Sequence, residues 1–153
     1  MKTPAFVINL HKGMDDLHFG SSLEKAEEVL GAPSETESLE KEPDDETETL
    51  LYYYFELGVT LFFEGDDSMT LTCIETDNQT VTLFGKRIFE MDENQVIALL
   101  KENGYSELYM ELEVWGEKRV SFDDALIDFY FENGKMVTVN WGIMINGDEE
   151  EDF

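Results

Sequence analysis

The spacing of apolar residues changes period along this chain. From Ser21 to Leu30 it is helical, with Leu23, Ala26, Val29 and Leu30 on one stripe. Ser21 and Glu24 are spaced as a capping box, and Gly31 and Pro33 mark the stop. A second helical window runs from Asp92 to about Asn103. Val96, Ile97, Leu99 and Leu100 face a core, Asp92 and Gln95 cap the start, Met91 and Val96 form a staple, and Gly104 ends the window. The spacing predicts helices over 21–30 and 92–103.

The remaining periodicity is that of strands. Glu107 to Trp115 alternates, with Leu108, Met110, Leu112 and Val114 on one side. Leu50 to Phe55, Val59 to Glu64 and Met69 to Glu75 are three further strands, separated by Leu57-Gly58 and by Gly65-Asp66-Asp67-Ser68. The segment from Ile127 to Trp141 is a hairpin centred on Glu132-Asn133-Gly134-Lys135, a two-residue type I′ turn signal.

The two halves share a pattern. Val59 to Met69 and Ile127 to Met136 both read apolar, polar, apolar, aromatic, Phe, Glu, turn, Met, and Phe19 and Leu30 of the first helix match Phe89 and Leu100 of the second. Phe19-Gly20-Ser21-Ser22, then the helix, then Leu30-Gly31-Ala32-Pro33 and a meander, resembles the repeat unit of β-lactamase inhibitor protein and of outer-membrane assembly lipoproteins of similar fold. The second half carries Glu102-Asn103-Gly104-Tyr105 at the matching helix end. The resemblance implies an α+β fold in which two helix-plus-meander units form one curved antiparallel sheet, with two helices on one face and a protein-binding concave face. The expected organisation is a single domain over 1–153, with pseudo-repeats of about 5–76 and 79–145 and an acidic tail over 146–153.

Charge sharpens the functional reading. The chain has 153 residues, with 36 Asp and Glu against 10 Lys and Arg, a net charge of −26. Spread over the roughly 7,900 Å² expected of a folded chain this size, those charges lie about 17 Å apart, beyond the roughly 8 Å screening length. They are concentrated, however. Residues 35–48 hold eight acids and the single base Lys41, and Asp148 to Asp152 are five acids in a row. Residues 35–48 are expected to be exposed and at least partly loop. Such a balance argues against nucleic acid as a partner, because phosphate binding needs a basic footprint. No apolar run spans a membrane and no secretory h-region is present, so a cytoplasmic protein without membrane partners is expected.

Catalytic signatures are sparse. One cysteine, Cys73, and two histidines, His11 and His18, do not supply a zinc set. The acidic clusters lack the ligand spacing of a calcium loop, and there is neither a nucleophile elbow nor a P-loop. A Cys73–histidine dyad would need the fold to bring the two together. Asp123-Asp124 is the most suggestive carboxylate pair, although adjacent acids in a turn are usually solvated. No cofactor and no enzymatic activity are expected.

Aromatic residues point to a surface instead. If Leu51, Tyr53 and Phe55 face the helices, alternation sends Tyr52 and Tyr54 to the helix-free face. The same parity turns Val59, Leu61, Phe63, Ile127, Phe129 and Phe131 inward and sends Phe62, Asp128 and Tyr130 outward. A two-residue turn pairs Tyr130 with Val137 and carries Trp141 outward as well. The predicted protein-binding set is therefore Tyr52, Tyr54, Phe62, Glu64, Asp128, Tyr130 and Trp141, rimmed further by Glu56 and Glu132. Two uses fit it. One is an acidic inhibitor, such as an immunity protein that neutralises a basic toxin of the nuclease kind. The other is a non-catalytic structural or assembly protein that forms a homodimer through this face.

Overall fold

A computed structural model describes residues 6–39, 48–65, 68–112 and 116–143. Three short strands, β1 (Val7–Asn9), β2 (Gly13–Met14) and β3 (Leu17–His18), precede helix α1 (Leu23–Leu30). A meander follows: β4 (Glu35–Leu39), β5 (Glu48–Tyr54), β6 (Val59–Gly65) and β7 (Thr70–Thr76). The second half opens with β8 (Thr82–Leu83), β9 (Lys86–Arg87) and a 3₁₀ turn, then helix α2 (Glu93–Glu102). Its meander is β10 (Leu108–Leu112), β11 (Lys118–Phe122), β12 (Ile127–Glu132) and β13 (Lys135–Gly142).

The fold is α+β with mostly antiparallel sheets. The meanders join along their last strands into an eight-stranded sheet, ordered β10-β11-β12-β13-β7-β6-β5-β4. A five-stranded sheet, β3-β2-β1-β8-β9, ties the starts of the two halves together through a parallel β1–β8 pair. The expectation of one wholly antiparallel sheet is corrected on both counts. The strands of the small sheet are two or three residues long, too short for alternation to show in the sequence.

Local chemistry explains the helices. In α2 the Asp92 carboxylate accepts from the Gln95 N–H at 2.9 Å and the Gln95 side chain accepts from the Asp92 N–H at 2.9 Å, the predicted capping box. In α1 the cap is Ser22 rather than Ser21, its hydroxyl accepting from the Lys25 N–H at 3.1 Å. Both helices pack on the same face of the large sheet. Tyr52 and Tyr54 reach α1 from β5, and Lys118 reaches Glu93 of α2 from β11 at 3.0 Å. The small sheet packs there too, and one apolar cluster unites all these layers.

Two side-chain parities differ from the sequence reading. Tyr52 pairs with Leu61 and Tyr54 with Val59, so both face the helices and are buried, while Tyr53 and Phe55 turn outward. Three consecutive tyrosines carry no alternation, so the pattern cannot orient them. Tyrosine also tolerates burial when its hydroxyl finds a partner. Tyr52 donates to the Glu27 carboxylate at 2.7 Å and Tyr54 to the Gly31 carbonyl at 2.8 Å, at the end of α1. Trp141 is likewise fully buried and not on the outer face. The Asn133-Gly134 turn forms as predicted, with φ of +54° and +81°. Just beyond it, Phe131 pairs with Met136 but Tyr130 with Thr138. This bulge inserts Val137 and inverts every later position of β13.

Residues 35–39 form an edge strand and are exposed, as expected of the acidic segment. The rest of that acidic segment to residue 47, the Gly65 turn centre at 66–67, Val114 and Trp115, and the acidic tail lie outside the described residues.

Candidate binding face

The face away from the helices is built by register. One row crosses all eight strands: Tyr109, Ser121, Asp128, Asn140, Glu75, Thr60, Tyr53 and Glu35. A neighbouring row reads Gly142, Cys73, Phe62, Leu51 and Glu37. Of the predicted set, Phe62, Glu64, Asp128 and Tyr130 lie on this face, each half-buried. Tyr52, Tyr54 and Trp141 do not. The sequence reading missed Tyr109, Arg119, Ser121, Asn140 and the stacked pair Tyr53–Phe55, whose centroids are 6.0 Å apart. Only Tyr53 and Phe55 carried a signal, the same aromatic run read in the opposite parity.

A groove of about 530 Å³ opens on this face, lined by Glu64, Cys73, Arg119, Ser121, Asp128 and Asn140 among others. Its charge is negative on balance. Glu64, Asp123 and Asp128 line it, and neither Glu64 nor Asp128 is in an ion pair among the described residues. Its one guanidinium, Arg119, is held by Glu111 at 2.6 Å and lies 5.8 Å from the Tyr109 ring centroid. Burial weakens the hold of Arg119 on its proton, but Asp128 and Glu111 outweigh it and raise the pKa. Among the described residues, two buried side-chain atoms have no hydrogen-bond partner: Ser121 Oγ, in a residue only 4% exposed, and Arg119 Nε. An orphaned buried polar group costs about 1–3 kcal/mol.

Asp124 and His11 are engaged in local contacts. Asp124 accepts from the Ser106 N–H at 2.9 Å and the Glu107 N–H at 3.2 Å, clasping the start of β10, and these bonds hold its carboxyl below the usual range. His11 hydrogen-bonds the Asp124 carbonyl at 3.1 Å. Among the described residues, no group of three or more His, Cys, Asp or Glu is placed to hold a metal ion. Burial raises the carboxyl pKa of Glu75, partly offset by a hydrogen bond from Asn140.

Burial also pushes the Cys73 thiol up to about 12, with Glu75, Asp128 and Glu64 adding to the effect. A thiol of that kind is a poor nucleophile at neutral pH. Native protein is therefore expected to react with an aromatic disulfide reagent at pH 8 at least tenfold more slowly than urea-unfolded protein, as followed by thiolate release. The same shift predicts an alkaline transition. Tyr52 is raised to about 12 by burial and by its bond to Glu27, and Tyr54 is raised further, chiefly by burial. The unfolded chain loses the cysteine proton near pH 8.5 and tyrosine protons near 10, while the folded chain keeps them. The stability from these groups is full below about pH 8.5 and is lost as pH rises towards 12. Thermal melts across that range test this, and Cys73→Ala is expected to remove the earliest part of the decline.

No protein-family model matches the chain, and no curated protein matches it in sequence. Among solved structures it is similar to an extracellular protein containing a SCP domain from Bacillus anthracis str. Ames, at 15% identity and a TM-score of 0.44. The match covers 80% of this chain and 43% of that one, so the chain spans less than half the length of that protein. Among the described residues no helix is long and apolar enough to cross a membrane.

Proposed function

We propose that this chain is an acidic, non-catalytic binding module that neutralises a basic protein through the helix-free face of its large sheet. The role is that of an immunity protein against a cytoplasmic toxin of the nuclease kind. The carrying observation is the groove, where carboxylates outnumber the single, already paired guanidinium. A nuclease is basic because it grips phosphate, and complementary potential raises the association rate and selects the partner. Phe62 and Tyr130 supply aromatic contact, and Glu64 and Asp128 supply the field. In this reading the two helix-plus-meander halves are copies of one unit, which accounts for their meeting along equivalent strands, β7 and β13.

Genes adjacent to the coding gene provide the test. One is expected to arrest growth when expressed alone and to be silenced by this chain. Against that partner, Asp128→Lys or Glu64→Lys is expected to slow association, with the loss shrinking as salt rises. Phe62→Ala or Tyr130→Ala is expected to speed dissociation and to cost about 2 kcal/mol if the ring is a hot spot. Neutralisation that survives both kinds of change would remove this face from the mechanism.

One observation favours a homodimer, though through a sheet edge rather than through the sheet face. The two sheet edges are unequal. β4 is guarded by Glu35 and Glu37, whereas β10 exposes Met110 and Leu112, the latter 71% exposed. A dimer extended through β10 persists at high salt in size exclusion, while capture of a basic partner weakens.

A further inference from the structure

We infer that the groove on the helix-free face is a receptor for a single arginine residue of a polypeptide partner, held by Asp128 and Ser121 and by the Nε–H of Arg119. The inference deepens the basic-partner reading and rests on it.

Charge selects a cation. Three carboxylates line the groove, and its own guanidinium is committed to Glu111. A compact metal ion is not what the groove suits, since the described acids do not converge into a three-ligand cluster. An extended cation with several donors uses separated acceptors better. Guanidinium presents five N–H donors in a plane and matches a carboxylate in bidentate fashion.

The orphaned atoms refine the choice. Ser121 lies opposite Asp128 in the register, and its buried Oγ is an acceptor without a donor. Arg119 Nε–H is a donor without an acceptor. A free cation such as a polyamine brings only donors. An arginine within a peptide brings guanidinium donors for Asp128 and Ser121 together with a backbone carbonyl for Arg119. The groove, at about 530 Å³, is large enough to take an arginine side chain.

Amide chemical shifts of the full chain, titrated at low salt, test this with three probes. They are an acetylated and amidated Gly-Gly-Arg-Gly-Gly peptide, the same peptide with citrulline for arginine, and agmatine. The arginine peptide is expected to move the amides of Cys73, Ser121 and Asp128 at millimolar concentration. The citrulline peptide is expected to leave them in place, and agmatine, lacking the carbonyl, to bind at least threefold more weakly. Asp128→Asn and Ser121→Ala are each expected to weaken the arginine peptide at least threefold. Glu102→Gln, at the exposed end of α2, is expected to leave it unchanged. Ser121→Ala also removes a buried hydroxyl without a partner, so its melting temperature is expected to hold or rise, which separates lost binding from misfolding. Equal binding of the citrulline peptide, an equal effect of Glu102→Gln, or silent groove amides would overturn the site. Neutralisation of a toxin with a silent groove would remove the arginine site and keep the basic-partner reading. A bound arginine peptide with no neutralised partner would do the reverse.

Discussion

Trp141→Ala is expected to cost about 3–5 kcal/mol of unfolding free energy, a large share of the roughly 5–15 kcal/mol that holds an ordinary domain. Trp141 is fully buried, and it sits on β13 opposite Ile127 on one side and Ile74 on the other. Removing the indole leaves a void where the two meanders and the small sheet meet. The ring also does polar work, since its Nε1–H donates to the Gly13 carbonyl at 2.9 Å in a buried setting. Trp141→Phe keeps most of the apolar area but loses that hydrogen bond, so about 0.5–1.5 kcal/mol is expected. Urea titration measures both. A loss under about 1 kcal/mol for the alanine variant would mean that the small sheet does not depend on this contact.

Gly142→Ala is expected to reach the upper end of the overpacking range, about 3 kcal/mol. The new methyl would lie 2.5 Å from the Thr72 carbonyl oxygen and 3.3 Å from Cys73 Cα. Both are backbone atoms, so no side-chain rotation relieves the clash. Thr72 is the extra residue of a second bulge, and its carbonyl accepts from the Ile143 N–H at 3.0 Å. Relief therefore requires β13 to draw away from β7. Hydrogen exchange at Ile143 is expected to accelerate along with the fall in melting temperature. Thr138→Ala, on the same strand and face, is expected to change neither by a comparable amount. An unperturbed Ile143 amide would show that the strands absorb a methyl without parting.

Legibility in the sequence followed the strength of local periodicity. The second helix and its capping box were readable because Asp92, Gln95 and the Val96 to Leu100 stripe all act within one turn or two. The turn at Asn133-Gly134 was readable because few residues tolerate its left-handed φ. The binding face was readable only where alternation was unambiguous, as in Val59 to Phe63 and Ile127 to Phe131. Tyr52 and Tyr54 were misplaced because their buried state depends on hydroxyl partners in a helix more than twenty residues away. Trp141 was misplaced because a bulge has no compositional mark here, and one inserted residue, Val137, reverses everything after it. Ser121 and Arg119 gave no signal at all. Their importance lies in hydrogen bonds that are missing, which only packing reveals.

The join between β7 and β13 also carries a kinetic consequence. Within each meander the strands are nearest neighbours in sequence, so they zip through short loops. The join instead brings together partners such as Ile74 and Trp141, more than sixty residues apart. Closing that span costs about 2–3 kcal/mol more chain entropy than closing a four-residue turn, so the halves are expected to form first and the join last. Until it closes, β7 and β13 are both open edges with apolar inner faces. Pulse-labelled exchange during refolding is expected to protect the β5–β6 and β12–β13 hairpin amides before those that bridge Cys73 to Thr76 with Val139 to Gly142. In that interval the net charge of −26 acquires a use independent of any partner: like-charged, half-assembled chains repel one another while their sticky edges are still unpaired.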